Sequence, residues 1–479
     1  MAAHLKRRTF VRSAAMAAGA VMARPLRAAS ATDVLVIGAG LSGLRAAVHL
    51  EDQGVKLTVI EGKSRAGGRV MSLYGVPGNP EAGANGIGAS YGRMIDSAQR
   101  FGVALYDIAP RAPLIFNQEL ALGGKIIAEK DWPNHPRNPF QGRFRSMMPG
   151  PLVQRLLLAN NPLGKNFGDW TDPKSFHLDV PMHDWLAQQG LDDAAVDLAY
   201  NTNCEYGSTA HDVSLLMMAF LYSWSLFQFG QGVNASYAAK GGNQRIPEAM
   251  AAGLKSEVQF NKTVAGLRSD ATGAEAVCTD GTVYRAKKIV CSIPFAALRT
   301  VPVDPVIGGP QGRAIRTIGV QLTSSTHLVA KRPFWKEDGL KPGIWTDGLA
   351  GIVMAQPFGD DPGEITSFLC RHRGFLAAKI DRMPVADATR AVVAAIEEIR
   401  PSAKGQLEVA GFKSWNVDPF SCGDWVIWQP GQIRAFVQHI GKPHGNIHFC
   451  GEHTAVANRG MEGAMESGDR VAQEVLAGI

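Results

Sequence analysis

The sequence ATDVLVIGAGLSGLRAAVHL at residues 31–50 predicts a strand, a tight turn and a helix. The apolar run at 33–37 is typical of a strand, and the apolar periodicity after the turn is typical of a helix. Three glycines form a G-x-G-x-x-G turn between them: Gly38, Gly40 and Gly43. In such a unit the first glycine permits the turn, the second admits a pyrophosphate, and the third lets helix and strand pack closely. The stretch therefore predicts a dinucleotide-binding fold.

The next stretch, KLTVIEGKSRAGGRV at 56–70, predicts a second strand that ends at Glu61. A carboxylate at this position accepts hydrogen bonds from the ribose of a bound dinucleotide. Beyond it, two arginines offer forked donors to diphosphate oxygens, and paired glycines let the chain pass close to the cofactor. These residues are Arg65, Gly67, Gly68 and Arg69.

Glu61 and the four residues just named, Arg65, Gly67, Gly68 and Arg69, resemble the E-x-x-x-R-x-G-G-R signature of the flavin amine oxidase superfamily. That superfamily includes monoamine oxidases, polyamine oxidases, L-amino acid oxidases and histone demethylases. The resemblance implies FAD as cofactor and an α/β fold, with a Rossmann-like FAD-binding domain assembled from three discontinuous segments beside a mixed α+β substrate domain. The expected FAD-binding segments are 32–90, 235–300 and 410–479, and the expected substrate-binding segments are 91–234 and 301–409.

Two later regions also resemble this family. KGGNQRIPE at 240–248 resembles its G-G-x-x-x-L/I-P turn, and the resemblance implies that a strand at 258–264 brings Val264 toward the adenine. KIVCSIP at 288–294 resembles the strand that closes this middle segment.

The C-terminal region resembles the G-E-x-T and M-E-G-A-x-x-S-G endings of the family, through GEHT at 451–454 and MEGAMESG at 461–468. We expect Glu452 to accept hydrogen bonds from the ribityl hydroxyls of the flavin. A helix that begins near Met461 would direct its free N–H groups and its positive dipole end at the negative charge of the reduced ring.

The substrate-facing positions depart from the family pattern. Mammalian monoamine oxidases place two tyrosines against the flavin face, and alignment puts Trp425 at the first position but Gly460 at the second. We expect Trp425 to position the substrate, with Trp428 or Trp224 as candidates to replace the missing aromatic ring. A wider opening for a bulkier substrate is the alternative.

Two further departures concern the cofactor. Asp424 stands where monoamine oxidases attach their flavin through cysteine, and Cys422 would point elsewhere if the segment were extended, so we expect non-covalent FAD. The lysine that many relatives hold near flavin N5 is also missing. In those relatives the lysine acts through a water, and three residues at that position could hold such a water instead, although the pattern favours ordinary strand residues: Ser325, Thr326 and His327.

The remaining alternatives for the function differ mainly in the class of substrate. The stretch EAGANGI at 81–87 contains no counterpart of the arginine that binds the carboxylate in amino acid oxidases, and Arg459 is the one substitute. We therefore expect oxidative deamination of an amine by hydride transfer to FAD, followed by hydrolysis of the imine to a carbonyl. L-amino acid oxidation is the alternative. A porphyrinogen or carotenoid desaturase and a flavin-binding protein without catalysis are weaker ones.

The N-terminus predicts export. KRRTFVR at 6–12, an alanine-rich apolar stretch and ASA at 29–31 resemble a twin-arginine signal peptide, which we assign to residues 1–31. This segment carries six bases and no acid, so its removal takes the formal charge from +6 to zero and leaves no electrostatic motive for nucleic acid binding. We expect a periplasmic enzyme without a stable membrane anchor. Its electrons pass to oxygen, giving hydrogen peroxide, or to a periplasmic carrier, and a homodimer is among the oligomeric states left open.

Two other patterns were weighed. The apolar run at 213–230 approaches the length of a membrane span, but its serines and its lack of basic flanks favour a buried helix. The cluster HGNIHFCGEH at 444–453 contains metal-ligating residue types, but its apolar alternation favours a strand, and we assign no metal. The six cysteines are scattered, and their spacing implies no disulfide.

Overall fold

The structure is a computed structural model that describes residues 27–28, 32–230 and 235–479. The predicted signal peptide at 1–31 therefore lies almost wholly outside the described residues.

The larger of two main sheets carries the predicted dinucleotide-binding unit. Its nine described strands follow the order Val303–Asp304, Val264–Asp270, Gly273–Cys278, Thr282–Cys291, Thr32–Ile37, Leu57–Ile60 and Val258–Gln259, with Arg27–Ala28 and Ile447–Phe449 also paired to Thr282–Cys291.

Parallel pairing joins three distant parts of the chain in this sheet. Thr282–Cys291 pairs in parallel with Thr32–Ile37 and with Ile447–Phe449. The carboxyl ends of these strands therefore meet at one edge, which is where open α/β sheets bind their ligands.

The predicted strand at 258–264 is wrong as a single element. The structure has Val258–Gln259 and Val264–Asp270 instead. Asn261, in the loop between them, has a φ of 60°, a left-handed conformation that cannot continue a strand. Val264 nevertheless begins the second of these strands.

The second main sheet has seven described strands in the order Leu407–Ser414, Thr323–Ala330, Ser367–Arg373, Ile352–Gln356, Gly343–Thr346, Gln118–Leu122 and Lys125–Ile127. All seven fall in the expected substrate-binding segments except that Leu407–Ser414 runs across the expected boundary at 410. Small sheets pair Ile87–Gly88 and Leu105–Asp107 with Ser236–Ala239, and Gly319–Val320 with Val426–Ile427.

Helices cover both sheets. The described α-helices are Leu41–Asp52, Gly92–Arg100, Ala112–Ile115, Pro149–Ala159, Met182–Gln188, Asp193–Val196, Leu215–Gly230, Arg245–Gly253, Phe295–Leu298, Gly309–Thr317, Phe334–Glu337, Gly374–Ile380, Val385–Ile399, Gln432–Phe436 and Gly460–Leu476. Short 3₁₀ turns are Ala109–Arg111, Trp132–Asn134, Gly142–Phe144, Phe167–Thr171, Pro173–Leu178, Pro401–Ala403 and Glu452–Thr454, and Asp197–Asn201 is a π turn.

The first and last helices of the cofactor half pack closely together. A Cβ on Gly468 of Gly460–Leu476 would come 2.5 Å from the Ser42 carbonyl oxygen of Leu41–Asp52. This close approach brings the C-terminal motif beside the glycine-rich turn.

The apolar run at 213–230 forms the helix Leu215–Gly230, and the side chains of its first half are fully buried, among them Leu216, Met218 and Phe220. A search of the described residues for a helix long and apolar enough to cross a membrane finds none.

Candidate functional site

A cavity of about 340 Å³ lies at the carboxyl ends of the parallel strands, and we call it the cofactor cavity. Most residues expected to bind FAD line it: Gly38, Gly40, Glu61, Gly67, Gly68, Arg69, Val264, Glu452 and Met461. The two substrate-facing positions, Trp425 and Gly460, line it as well. Gly43 and Arg65 are not among its lining residues.

The glycine-rich turn is built as the motif predicts. A Cβ on Gly43 would overlap the Gly38 carbonyl oxygen, so only glycine permits this packing of helix against turn. A Cβ on Gly40 would meet no atom within 4 Å, because this glycine faces the open cavity. Gly43 therefore serves packing, and Gly40 leaves room for a ligand.

Glu61 is buried at the wall of the cofactor cavity, and each of its carboxylate oxygens accepts a backbone hydrogen bond. The Ala39 N–H donates to Oε2 and the Lys63 N–H donates to Oε1, each at a distance of 2.8 Å. Burial raises the pKa of Glu61, and these two amide donors oppose the shift. Each oxygen keeps a second lone pair, which can accept a ribose hydroxyl.

The two motif arginines have different surroundings. Arg65 donates to the carbonyl oxygens of Ala66, Gly68 and Val70, so its guanidinium holds the loop and does not face the cavity. The prediction that Arg65 itself binds the diphosphate is therefore corrected, because three loop carbonyls already occupy its fork. Arg69 does line the cavity, where it donates to the Asp424 carbonyl and lies 3.6 Å from a Glu452 oxygen.

The residues present fit a flavin dinucleotide. Glu452 is buried at the cavity wall, and its Oε1 accepts no hydrogen bond among the described residues, although Arg459 Nη2 lies 3.4 Å from it. An unsatisfied buried carboxylate oxygen is costly, and ligand hydroxyls would satisfy it. The helix Gly460–Leu476 begins at the same cavity, so its N-terminal amides, which lack intrahelical acceptors, lie where negative charge on a flavin ring needs donors.

A second cavity of about 200 Å³ shares four lining residues with the cofactor cavity: Ala84, Asp424, Trp425 and Met461. We call it the substrate-side cavity. Its other walls include an acid, a tyrosine and two arginines that sequence reasoning did not single out: Glu81, Tyr91, Arg371 and Arg373.

Trp425 and Gly460 face each other where the two cavities meet. The ring of Trp425 would lie 3.2 Å from a Cβ built on Gly460, and the Tyr91 hydroxyl would lie 3.6 Å from it. Tyr206 packs against Trp425 with ring centroids 6.0 Å apart. Tyr91 is therefore the second aromatic residue that comes near Gly460.

The candidates named for that neighbour lie elsewhere. Trp428 is fully buried and packs edge-on against Trp170, so it lines neither cavity. Trp224 lies behind Tyr91, with ring centroids 5.7 Å apart. Tyr91 was missed because no motif surrounds it, and it reaches the site only through the start of the helix Gly92–Arg100.

Asp424 lines both cavities, and burial raises the pKa of its carboxyl group. Cys422 lines neither of them. Its φ is 53°, so the reason given above, an extended segment, does not apply: a left-handed turn directs this cysteine away. No cysteine is among the residues that line either cavity in the described chain.

Of the three candidates for the missing lysine, only Ser325 lines the substrate-side cavity. His327 lies 3.2 Å from the Ser325 hydroxyl, and burial lowers the pKa of His327 to about 4. Thr326 points to the other face of the strand, as alternation requires. Whether Ser325 holds a water stays a prediction.

Arg459 lines neither cavity. Its Nη2 donates to the Val426 carbonyl at 3.0 Å and lies 3.4 Å from a Glu452 oxygen. The expectation that Arg459 could bind a substrate carboxylate is therefore wrong, because Arg459 is buried outside both cavities and its guanidinium contacts these two groups.

The metal-ligating residue types at 444–453 do not converge. His444 contacts the Pro305 carbonyl, His448 lies 3.4 Å from Glu474, and His453 packs on Phe295. Burial lowers the pKa of His453 to about 3, so this ring is neutral. As predicted, Ile447–Phe449 is a strand, and its alternation directs these side chains to different neighbours.

Glu81 is buried at the substrate-side cavity and accepts hydrogen bonds from the Asn243 N–H at 2.6 Å and the Ser72 hydroxyl at 2.9 Å. Burial raises the pKa of Glu81 to about 8. Arg371 and Arg373 alternate with buried residues along Ser367–Arg373. Two bases at a spacing of two in an apolar strand were the one available sequence signal for them.

Comparison with known proteins agrees with this geometry. The family described as flavin containing amine oxidoreductase matches residues 41–476. The chain is 24% identical to a flavin-containing amine oxidase of Danio rerio, over 94% of this chain and 87% of the relative. It is also 24% identical to an L-amino-acid oxidase of Naja atra, over 92% of this chain and 87% of that one.

A solved structure of wild-type putrescine oxidase bound to putrescine has a TM-score of 0.72 and 20% identity, and the match covers 94% of this chain and 99% of the other. This likeness confirms the predicted α/β fold. The chain belongs to the flavin-containing amine oxidoreductase family, and it is a flavin-dependent oxidoreductase that acts on amines.

Proposed function

We propose that this protein catalyses the FAD-dependent oxidative deamination of a small-molecule amine, with the FAD held non-covalently. One observation carries the proposal: the substrate-side cavity and the cofactor cavity share Asp424, Trp425 and Met461 as a common wall. A substrate in the smaller cavity would therefore lie against the ring end of a cofactor in the larger one.

The residues that would hold the FAD are the glycine-rich turn, Glu61, Arg69, Val264 and Glu452, and Met461 lies in the first turn of the helix at its ring end. When bound, the flavin supplies the chemistry by accepting a hydride equivalent from the carbon next to the amine nitrogen. The released imine hydrolyses to a carbonyl compound in water. Non-covalent binding is supported by Asp424 at the attachment position and by the turn that directs Cys422 away.

The chain itself supplies orientation and exclusion of water. Trp425 and Tyr91 both line the substrate-side cavity and both approach Gly460, so the carbon–nitrogen bond of a substrate in that cavity can lie beside the Trp425 ring. The N-terminal amides of Gly460–Leu476 stabilise negative charge at the ring end. The proposal assigns no side chain as an obligatory base, and the substrate reacts as the neutral amine.

Anaerobic mixing of the oxidised holoenzyme with a panel of amines tests the proposal. Primary, secondary and polyamine substrates are compared with the matching L-amino acids, and bleaching of the flavin absorption is followed. Bleaching by at least one amine is expected. No bleaching with any member would instead favour a flavin-binding protein that lacks catalysis.

The acceptor and the location are further parts of the proposal. We propose transfer of electrons to oxygen or a periplasmic carrier after export of the folded holoprotein by the twin-arginine route. Arg7 and Arg8 are the supporting sequence feature. Replacing both with lysine should leave active holoenzyme in the cytoplasm, and unchanged periplasmic activity would show that another route is used.

A further inference from the structure

Two arginines share one face of the second sheet at the substrate-side cavity. Ser367–Arg373 pairs with Thr323–Ala330 so that Arg371 lies opposite Ser325 and Arg373 lies opposite Thr323. Side chains of a strand alternate between faces, so residues two apart point the same way. All four of these residues line the cavity.

These cationic groups have no acidic partner within the described chain. Among residues 32–230 and 235–479, no carboxylate lies within 4.0 Å of either guanidinium. Arg373 donates through Nη1 to the Glu205 carbonyl at 2.7 Å, but its Nε has no hydrogen-bond partner there. The Thr323 hydroxyl oxygen opposite it also lacks a partner.

Three acids lie around the arginines, and among the described residues none of their carboxylates comes within 4.0 Å of either guanidinium: Glu205, Asp424 and Glu81. Glu205 acts on Arg371 through its charge, but this residue is exposed and its carboxylate accepts the Tyr222 hydroxyl. Asp424 and Glu81 line the same cavity as the arginines; burial raises the pKa of both carboxyl groups, that of Glu81 to about 8, and the charge of Arg373 opposes the shift of Asp424. The surrounding protein lowers the pKa of Arg371 to about 9, which keeps it charged at neutral pH.

A guanidinium in a cavity wall is less stable without an anionic partner than with one, because burial weakens its hydration. Here the described chain supplies no carboxylate within ion-pair distance of either arginine. A ligand anion would restore the pairing. A carboxylate is the chemistry that suits a guanidinium fork, since two parallel N–H···O bonds match its planar oxygens.

We propose that Arg371, with Arg373 and Thr323 beside it, forms a carboxylate-binding subsite of the substrate-side cavity, so that the substrate is an amine that also carries a carboxylate. The inference rests on the proposed function for the identity of the reacting group. Arg371 and Arg373 line only the substrate-side cavity, whereas Trp425 lines both cavities. The carboxylate therefore lies at the end of the substrate remote from the amine, as in an ω-amino acid.

The test measures binding to the oxidised holoenzyme by isothermal titration calorimetry. The probes are butanoate, pentanoate and hexanoate, each compared with its uncharged amide of the same shape. At least one carboxylate should bind more tightly than its amide. Arg371→Met should weaken the binding of that carboxylate by about 10-fold to 100-fold, because a charge-assisted contact is lost. The affinity for the amide should stay unchanged.

Two further variants separate a binding role from a structural one. Arg371→Lys keeps the charge and should retain part of the preference, while Arg285→Met removes an exposed strand arginine outside both cavities and should have no effect. The melting temperature of Arg371→Met should equal or exceed that of the wild type, because an unpaired charge is removed. A lower melting temperature with unchanged carboxylate affinity would assign Arg371 to the fold and overturn the inference.

The outcomes also distinguish this inference from the proposed function. If no carboxylate binds better than its amide, or if the preference survives Arg371→Met, the inference is wrong whatever the amine panel shows. If carboxylates bind through Arg371 but no amine or ω-amino acid bleaches the flavin, the subsite stands and the proposed function fails. With both intact, 5-aminopentanoate should show a higher kcat/KM than pentylamine, and only in enzymes that keep Arg371 or lysine there.

Discussion

The ring of Trp425 covers Gly460: a Cβ built on that glycine would lie 3.2 Å from two ring carbons of the tryptophan. Gly460 also has a φ of 61°, in the left-handed region. A side chain at the second aromatic position of the monoamine oxidase pattern would therefore be strained here, because the backbone is left-handed and the Cβ would press on the ring of Trp425. The Tyr91 hydroxyl would lie 3.6 Å from the same Cβ.

Gly460→Ala should therefore lower both stability and amine turnover. The left-handed conformation costs about 1–2 kcal/mol for a residue with a Cβ, and the new methyl group presses on Trp425. Melting temperature and steady-state kinetics measure the two effects. Gly339→Ala is the matched control, since Gly339 has a φ of 69° but no atom within 4 Å of a built Cβ. If both variants lowered turnover equally, the contact between the new methyl group and Trp425 would not be the cause of the loss.

Trp425→Ala should lower amine turnover far more than it lowers FAD content, because substrate positioning is lost while the cofactor contacts of Glu61 and Arg69 remain. Trp425→Phe should recover part of the rate. The flavin-to-protein absorbance ratio and kcat/KM are the measurements. A parallel loss of FAD and activity would instead assign Trp425 to cofactor binding.

The cofactor half of the site could be predicted from sequence because its signals are local. Gly38, Gly40 and Gly43 lie within six residues, and the chemistry of a tight turn demands glycine at each. Local spacing did not reveal the direction of Arg65, whose fork binds loop carbonyls. That direction depends on how the loop folds back on itself.

The substrate half depends on long-range register. Arg371 reaches the cavity because its strand pairs with Ser325 in one register, and a shift by one residue would turn both arginines away. Tyr91 depends likewise on where a helix begins. Neither fact follows from residues near them in the chain, so the sequence alone directed attention to Arg459, which lies beside Gly460 in sequence but outside the cavity.

Glu61→Ala should weaken FAD binding by about 1–3 kcal/mol, because ribose hydroxyls lose their acceptor and two backbone amides lose theirs. Fluorescence titration of the apoprotein with FAD measures the change. Glu51→Ala is a close control: Glu51 also accepts two backbone N–H groups, from Lys255 and Ser256, but lies outside the cofactor cavity. We expect that control to lower the melting temperature and to spare the FAD affinity. If both variants lose FAD equally, Glu61 acts only by holding its loop.

Acid or heat denaturation should release the FAD into solution, since Asp424 occupies the attachment position and Cys422 turns away from the cavity. The supernatant and the precipitate are assayed separately for flavin absorption. Yellow colour that remains with washed precipitate would show a covalent link and contradict the prediction.

Stability should fall as pH rises from about 4.5 to about 8 because of Glu81, whose pKa is raised from 4.5 to about 8 by burial. Below pH 4.5, the pKa of this group in the unfolded chain, both the folded and the unfolded protein hold the proton, and the full stability is present. Between the two values the unfolded chain releases the proton while the folded chain keeps it, which costs about 1.4 kcal/mol per pH unit.

Glu81→Gln mimics the neutral acid and should abolish this part of the decline. The melting temperature of the variant relative to the wild type should therefore rise steadily across the interval, when both holoproteins are measured at several pH values. Glu398→Gln, an exposed acid on the helix Val385–Ile399, is the control and should give a constant difference. If the Glu81 variant also gave a constant difference, Glu81 would be ionised throughout. The substrate-side cavity would then be lined by a negative charge as well as by Arg371 and Arg373.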